Sequence, residues 1–149
     1  MSALSSICRA IMRLTEKMAF SEGSLVLTQN GKMFMLDIKT GKCQWAVDID
    51  DDADSASKPT PSGLLPIIDY SQPSVYKGKA YITSNNGLHI IDTKTRQKSW
   101  KYPLKNVVTA KCLITGGVLH FGTFEFHGPP FQLARTSIIY AFDLKKSDP

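Results

Sequence analysis

An internal repeat constrains this chain more than any other feature. Residues 18–47 superpose on residues 73–102 at a constant offset of 55, with no gap. Gly23 falls on Gly78, Thr28 on Thr83, Asn30 on Asn85, Asp37 on Asp92, Lys39 on Lys94, Thr40 on Thr95 and Trp45 on Trp100. Apolar character is kept elsewhere: Phe20 aligns with Val75, Val26 with Tyr81, Leu27 with Ile82 and Leu36 with Ile91. A weaker third copy puts Gly117 in the place of Gly78 and Asp143 in that of Asp92, with 12 extra residues between them. Self-similarity at such a period means stacked supersecondary units, because one unit of this size cannot bury its apolar faces alone.

Each copy reads as a short antiparallel meander. In the second, Pro73–Tyr76 is a first strand, Lys77-Gly78-Lys79 a turn, and Ala80–Ser84 a β-rich strand. Asn85-Asn86-Gly87 is a hairpin signal, because Asn and Gly tolerate positive φ. Leu88–Asp92 returns, Thr93–Gln97 turns, and Lys98–Tyr102 closes the unit. The first copy repeats this with Asn30-Gly31 at its hairpin and Lys39-Thr40-Gly41-Lys42 at its next turn. Four short strands per unit, at a period of about 40 residues without insertions, is the pattern of a β-propeller blade. The expected fold is all-β: a partial β-propeller of about three four-stranded antiparallel blades, near 18–47, 73–102 and 108–146, the last truncated. An acidic Pro/Ser-rich linker fills 48–72, and a short N-terminal amphipathic helix precedes the blades at 1–17.

The segment Gly31-Lys-Met-Phe-Met-Leu-Asp37-Ile-Lys-Thr40-Gly41-Lys-Cys-Gln-Trp45 resembles the PQQ-like (quinoprotein) propeller repeat. Tyr81-Ile-Thr-Ser-Asn-Asn-Gly87-Leu-His-Ile-Ile-Asp92-Thr-Lys-Thr95-Arg-Gln-Lys-Ser-Trp100 looks like a second blade of the same kind. The resemblance implies that Trp45 and Trp100 dock adjacent blades. It implies further that Asp37, Thr40, Gly41, Asp92, Thr95 and Asp143 belong to the same docking framework. Asp37 and Asp92 would cap the turn after the third strand, and Gly41 would take its left-handed position. Arg96 stands where the second blade would have glycine, so a looser turn is expected there. The third copy ends at Asp143-Leu-Lys-Lys-Ser-Asp-Pro149, without a fourth strand or a Trp. Propellers of that family close with about six to eight blades. The expectation is therefore a fragment, a degenerate relative, or a protomer completed by a partner, since open arcs leave strand edges exposed.

Quinone chemistry does not follow from the resemblance. The family's dehydrogenases hold their cofactor near two adjacent bonded cysteines, whereas Cys8, Cys43 and Cys112 are far apart in sequence. No cofactor and no catalytic residue are expected. Three such cysteines also make neither a disulfide framework nor a closed zinc site. Asp50, Asp52 and Asp54 have the alternate spacing of a calcium loop, but Ser55 and Pro61 occupy the places of its Gly and Glu. That acidic run reads as a solvated loop. His120, Glu125 and His127 could hold a metal only if the fold brought them together, which their spacing does not enforce, so no metal is expected.

Net charge is +5. From Lys77 to Lys111 there are eight basic residues and one acid, Asp92, with Tyr81, Trp100 and Tyr102 interleaved. A basic stripe alone supplies nonspecific attraction, and outward lysines keep blade edges soluble, so nucleic acid is not the expected partner. The 12-residue insertion places Phe124, Phe126, His127 and Phe131 around Gly128-Pro129-Pro130, and this loop, 124–136, is the candidate partner-binding element. At the N-terminus, Leu4, Ile7, Ile11, Leu14 and Met18 recur at helical spacing while Arg9, Arg13 and Lys17 take other positions. Arg9 and Arg13 interrupt any secretory signal, and Ile7 spoils a lipoprotein site. A cytoplasmic location is expected, with a mitochondrial targeting segment as the alternative, and no apolar run is long enough to span a membrane.

The role expected from these readings is noncatalytic: a binding or scaffolding module acting through protein–protein contacts, completed by a protein partner or by self-association. The alternative is a fragment or subunit of a PQQ-dependent dehydrogenase or of a propeller sensor domain.

Overall fold

The computed structural model describes residues 18–29, 31–49, 70–84, 87–103, 108–109, 111–127 and 134–146, with the backbone alone at 100–101, 108–109, 124–127 and 134–136. The helix expected over 1–17 and the linker over 50–69 lie outside the described residues. Three antiparallel sheets follow one another along the chain. The first is ordered β1 (Met18–Ser21), β2 (Ser24–Gln29), β3 (Lys32–Asp37) and β4 (Cys43–Asp48). The second repeats it with β5 (Ser74–Tyr76), β6 (Lys79–Ser84), β7 (Gly87–Asp92) and β8 (Lys98–Pro103). In the third, β9 (Val108–Thr109) and β10 (Leu113–Thr115) both pair with β11 (Val118–His127), which pairs with β12 (Ala134–Asp143).

The repeated glycine explains the first hairpin of each sheet. Glu22-Gly23, Lys77-Gly78 and Gly116-Gly117 all have positive φ at both residues, between +42° and +83°. Two consecutive left-handed residues form the two-residue turn whose twist matches that of the flanking strands.

Side chains alternate across each sheet, so register decides what each face carries. In the first sheet Val26, Met35 and Trp45 stand in line on one face, and Leu25 and Leu36 on the other. The first of these faces meets Ala80, Ile82 and Ile91 of the second sheet, with Ile49 and Tyr70 buried between them. Beyond it, Tyr81, Leu88 and Tyr102 of the second sheet meet Leu119, Phe121, Tyr140 and Phe142 of the third. The sheets thus stack face to face in chain order. Burial of a Leu or Ile at such an interface is worth roughly 1.5–3 kcal/mol per residue, which is what holds one sheet on the next. This is an all-β arrangement consistent with consecutive blades of a partial β-propeller.

The third sheet corrects one expectation. The extra residues do not form a loop from Phe124 to Thr136. β11 and β12 each run ten residues and pair without interruption from Val118 opposite Asp143 to His127 opposite Ala134. The insertion therefore lengthens a hairpin, because strand-forming residues flank the Gly-Pro-Pro stretch on both sides. Residues 128–133, Phe131 among them, lie outside the described residues.

Candidate functional site

The turn after the third strand is built the same way in the first two sheets. Asp37 Oδ1 accepts bonds from the Thr40 amide (2.7 Å) and the Thr40 hydroxyl (2.8 Å), and the Asp37 carbonyl accepts from the Gly41 amide (2.8 Å). Asp92 Oδ1 accepts from the amides of Lys94 (2.9 Å) and Thr95 (2.7 Å), and its carbonyl from the Arg96 amide (2.9 Å). In the third sheet Asp143 Oδ1 accepts from the Lys145 amide at 3.0 Å. The Thr40 amide holds the Asp37 carboxyl below the usual carboxylate range, and the Thr95 amide does the same for Asp92. The residue after each Asp reaches back to the first hairpin: Ile38, Thr93 and Leu144 donate to the carbonyls of Gly23, Gly78 and Gly117.

Arg96 does not loosen its turn. Its φ is +65°, the same left-handed conformation as Gly41 at +63°, and the backbone bond it closes matches that of Gly41 to 0.1 Å. The carboxylate of Asp92 fixes the loop from within, so the missing glycine costs strain and not geometry. The guanidinium carbon of Arg96 also lies 6.0 Å from the centre of the Trp45 ring, joining the second sheet's turn to the first sheet's Trp.

Trp45 is half-buried among the residues between the first and second sheets. Trp100 stands at the matching register position, opposite Ile90 as Trp45 is opposite Met35, but its side chain lies outside the described residues. Both positions follow a bulge, at Gln44 and Ser99, seen as a register shift at Met35/Leu36 and at Ile90/Ile91. Phe124, Phe126 and His127 belong to β11 by backbone, and their side chains too lie outside the described residues. Glu125 and His127 are five and seven residues beyond His120 on one unbroken strand, roughly 16 and 23 Å along it, too far apart to converge on one ion.

The sequence reading missed two groupings. The interface between the second and third sheets is aromatic: Phe121 stacks on Tyr140 and Phe142 at 5.1 and 5.8 Å, and Tyr102 meets Phe142 edge-on at 5.2 Å. A buried polar seam runs between the first and second sheets. Thr28 Oγ1 donates to the Ser71 carbonyl (3.0 Å), the Ser71 amide to the Thr83 carbonyl (2.8 Å), and the Thr83 amide to Ser71 Oγ (3.0 Å). Beside it Ser84 Oγ and His89 Nε2 are 2.9 Å apart. That is the spacing of a hydroxyl and its base, but Ser84 is 0% exposed, so a substrate has no approach to it and the pair is a packing contact. Isolated hydroxyl residues give no periodic signal, so only the three-dimensional arrangement reveals the seam.

Among the described residues no group of His, Cys, Asp and Glu is arranged to hold a metal, and no helix is long and apolar enough to cross a membrane. No protein-family model matches the chain, nor does any curated protein. Among solved structures, BamB from Moraxella catarrhalis is similar at a TM-score of 0.47 and 19% identity, covering 72% of this chain and 33% of that one. A Dbp5 variant from S. cerevisiae, bound to Nup159, a Gle1 variant, IP6 and ADP, is similar at a TM-score of 0.44 and 12% identity, covering 85% and 30%. This chain spans about a third of the length of each.

Proposed function

We propose that the protein is a noncatalytic interaction module, a set of propeller-type blades that works through protein–protein contact and is completed by a partner or a further copy of the chain. The observation that carries this is the outward face of the third sheet. Leu113 and Ile139 lie on the side of that sheet turned away from the second, opposite His120 and Gly122, and are 62% and 81% exposed. In the second sheet the corresponding side is covered by its neighbour. Apolar residues left in water on a face that elsewhere stacks mark a place for another sheet or another protein. Asp37, Thr40, Gly41, Trp45, Asp92, Thr95, Trp100 and Asp143 form, in this reading, the framework that presents the blades and docks them to each other.

Light scattering of the purified full chain across a concentration series tests the reading. The expected result is a mass above one chain that rises with concentration and falls on introducing Leu113→Asp with Ile139→Asp. A stable monomer that recruits no protein, with the third sheet's outer amides protected from exchange, overturns it.

A further inference from the structure

We propose that residues 1–17 lie across the open face of the first sheet and stand in for a preceding blade. Leu27 and Leu36 occupy the positions held in the second sheet by Ile82 and Ile91, 55 residues further on. Ile82 and Ile91 are fully buried because they face the first sheet. Among the described residues, the cluster around Leu27 and Leu36 comes wholly from their own sheet: Met18, Leu25, Phe34 and Cys43. Yet Leu27 is 0% exposed and Leu36 2%. Neighbours within a sheet shield a side chain laterally but leave its outer end open to water, so burial this complete requires a cover. The outward face of the third sheet, with Leu113 and Ile139 in solvent, shows how such a face looks without one.

Two segments outside the described residues are long enough to supply the cover. Residues 50–69 leave from Ile49 and return at Tyr70, and both of these are buried on the opposite side, between the first and second sheets. Residues 1–17 run directly into Met18, whose side chain belongs to the Leu27–Leu36 cluster. Met18 is also the last member of the apolar stripe Leu4, Ile7, Ile11, Leu14 and Met18. A helix carrying that stripe is about 21 Å long, against roughly 20 Å for a six-residue strand, so one helix spans the face. Arg9, Arg13 and Lys17 would then stay in water. The cover ends short of Phe20, which lies opposite Leu25 on the same face and is 77% exposed. This inference goes beyond the interaction reading and does not depend on it.

Thiol chemistry on the full chain tests it. With Cys8→Ser, Cys43 reports on the covered face. Cys112 reports on overall folding, because burial pushes its thiol up to about 12 and keeps it unreactive. Adding Ile7→Asp and Ile11→Asp is expected to speed modification of Cys43 about tenfold while Cys112 stays unmodified. Arg13→Glu, on the other side of the stripe, is expected to leave the rate unchanged. An unchanged Cys43 rate in the Ile7/Ile11 variant overturns the proposal. So does protection of Cys43 that grows with protein concentration, since a second copy is then the cover. If the double variant also exposes Cys112, a spin label decides, attached at Ser6→Cys in a chain with Cys8→Ser and Cys43→Ser. Broadening of the Leu27 and Leu36 methyl signals, with Ile139 unaffected, upholds the proposal, and unbroadened Leu27 and Leu36 signals overturn it.

Discussion

Replacing Arg96 separates two opposing effects that meet at one residue. Its φ of +65° holds an L side chain in the left-handed region, at a cost of roughly 1 kcal/mol relative to glycine. Its guanidinium, 6.0 Å from the Trp45 ring, makes a contact worth about 0.5–1 kcal/mol at an exposed site. Arg96→Ala keeps the strain and removes the contact, so stability is expected to fall by about 0.5–1 kcal/mol. Arg96→Gly removes both, leaving stability within about 0.5 kcal/mol of the parent and about 1 kcal/mol above the Ala variant. Urea unfolding followed by far-UV circular dichroism resolves this, because at a slope near 2 kcal/mol per molar a difference of 1 kcal/mol moves the midpoint by about 0.5 M. Coincident midpoints for the Gly and Ala variants would show that the turn stores no strain. An Ala variant matching the parent would show that the guanidinium contributes nothing to sheet docking.

Leu119→Ala, in the core between the second and third sheets, is expected to cost about 2–5 kcal/mol, whereas exposed Leu113→Ala stays within about 0.5 kcal/mol; the same urea series measures both. Ser71→Ala deletes the acceptor of the buried Thr83 amide and is expected to cost about 1–3 kcal/mol, read as a lowered thermal midpoint. The lowered carboxyls of Asp37 and Asp92 contribute stability that is complete above their ordinary value of 3.8 and is lost as pH falls through their lower folded values. Asp92→Asn is accordingly expected to flatten the fall in thermal midpoint below about pH 4, and an undiminished slope would show that this carboxylate takes no part in acid unfolding.

Much of the fold was legible because the repeat's identities fall where backbone geometry is most demanding. Gly23 and Gly78 sit in left-handed turns, while Asp37 and Asp92 close the next turn through their own carboxylates. Strand order followed from the short connections between apolar runs. Arg96 was misleading because glycine is the favoured left-handed residue, not the obligatory one, and Asp92 supplies enough hydrogen bonds to hold the alternative. Gly128-Pro129-Pro130 suggested a loop, although the residues on either side continue the β ladder as far as His127 opposite Ala134. The polar seam joins Thr28, Ser71 and Thr83 across 55 residues of chain, a distance over which hydroxyl side chains carry no pattern.

The bond from the residue after each Asp to the first hairpin's glycine has a consequence for how such a chain changes length. In every sheet that bond joins the two turns at one end, so a residue added in either turn would break both the bond and the register behind it. The opposite end of the sheet carries no such tie, and the long connection between Ile49 and Tyr70 and the lengthened β11–β12 hairpin both occur away from the tied turns. Insertions are thus channelled to one side of the stack, which leaves the stacked faces free to diverge in shape without disturbing the spacing of the units.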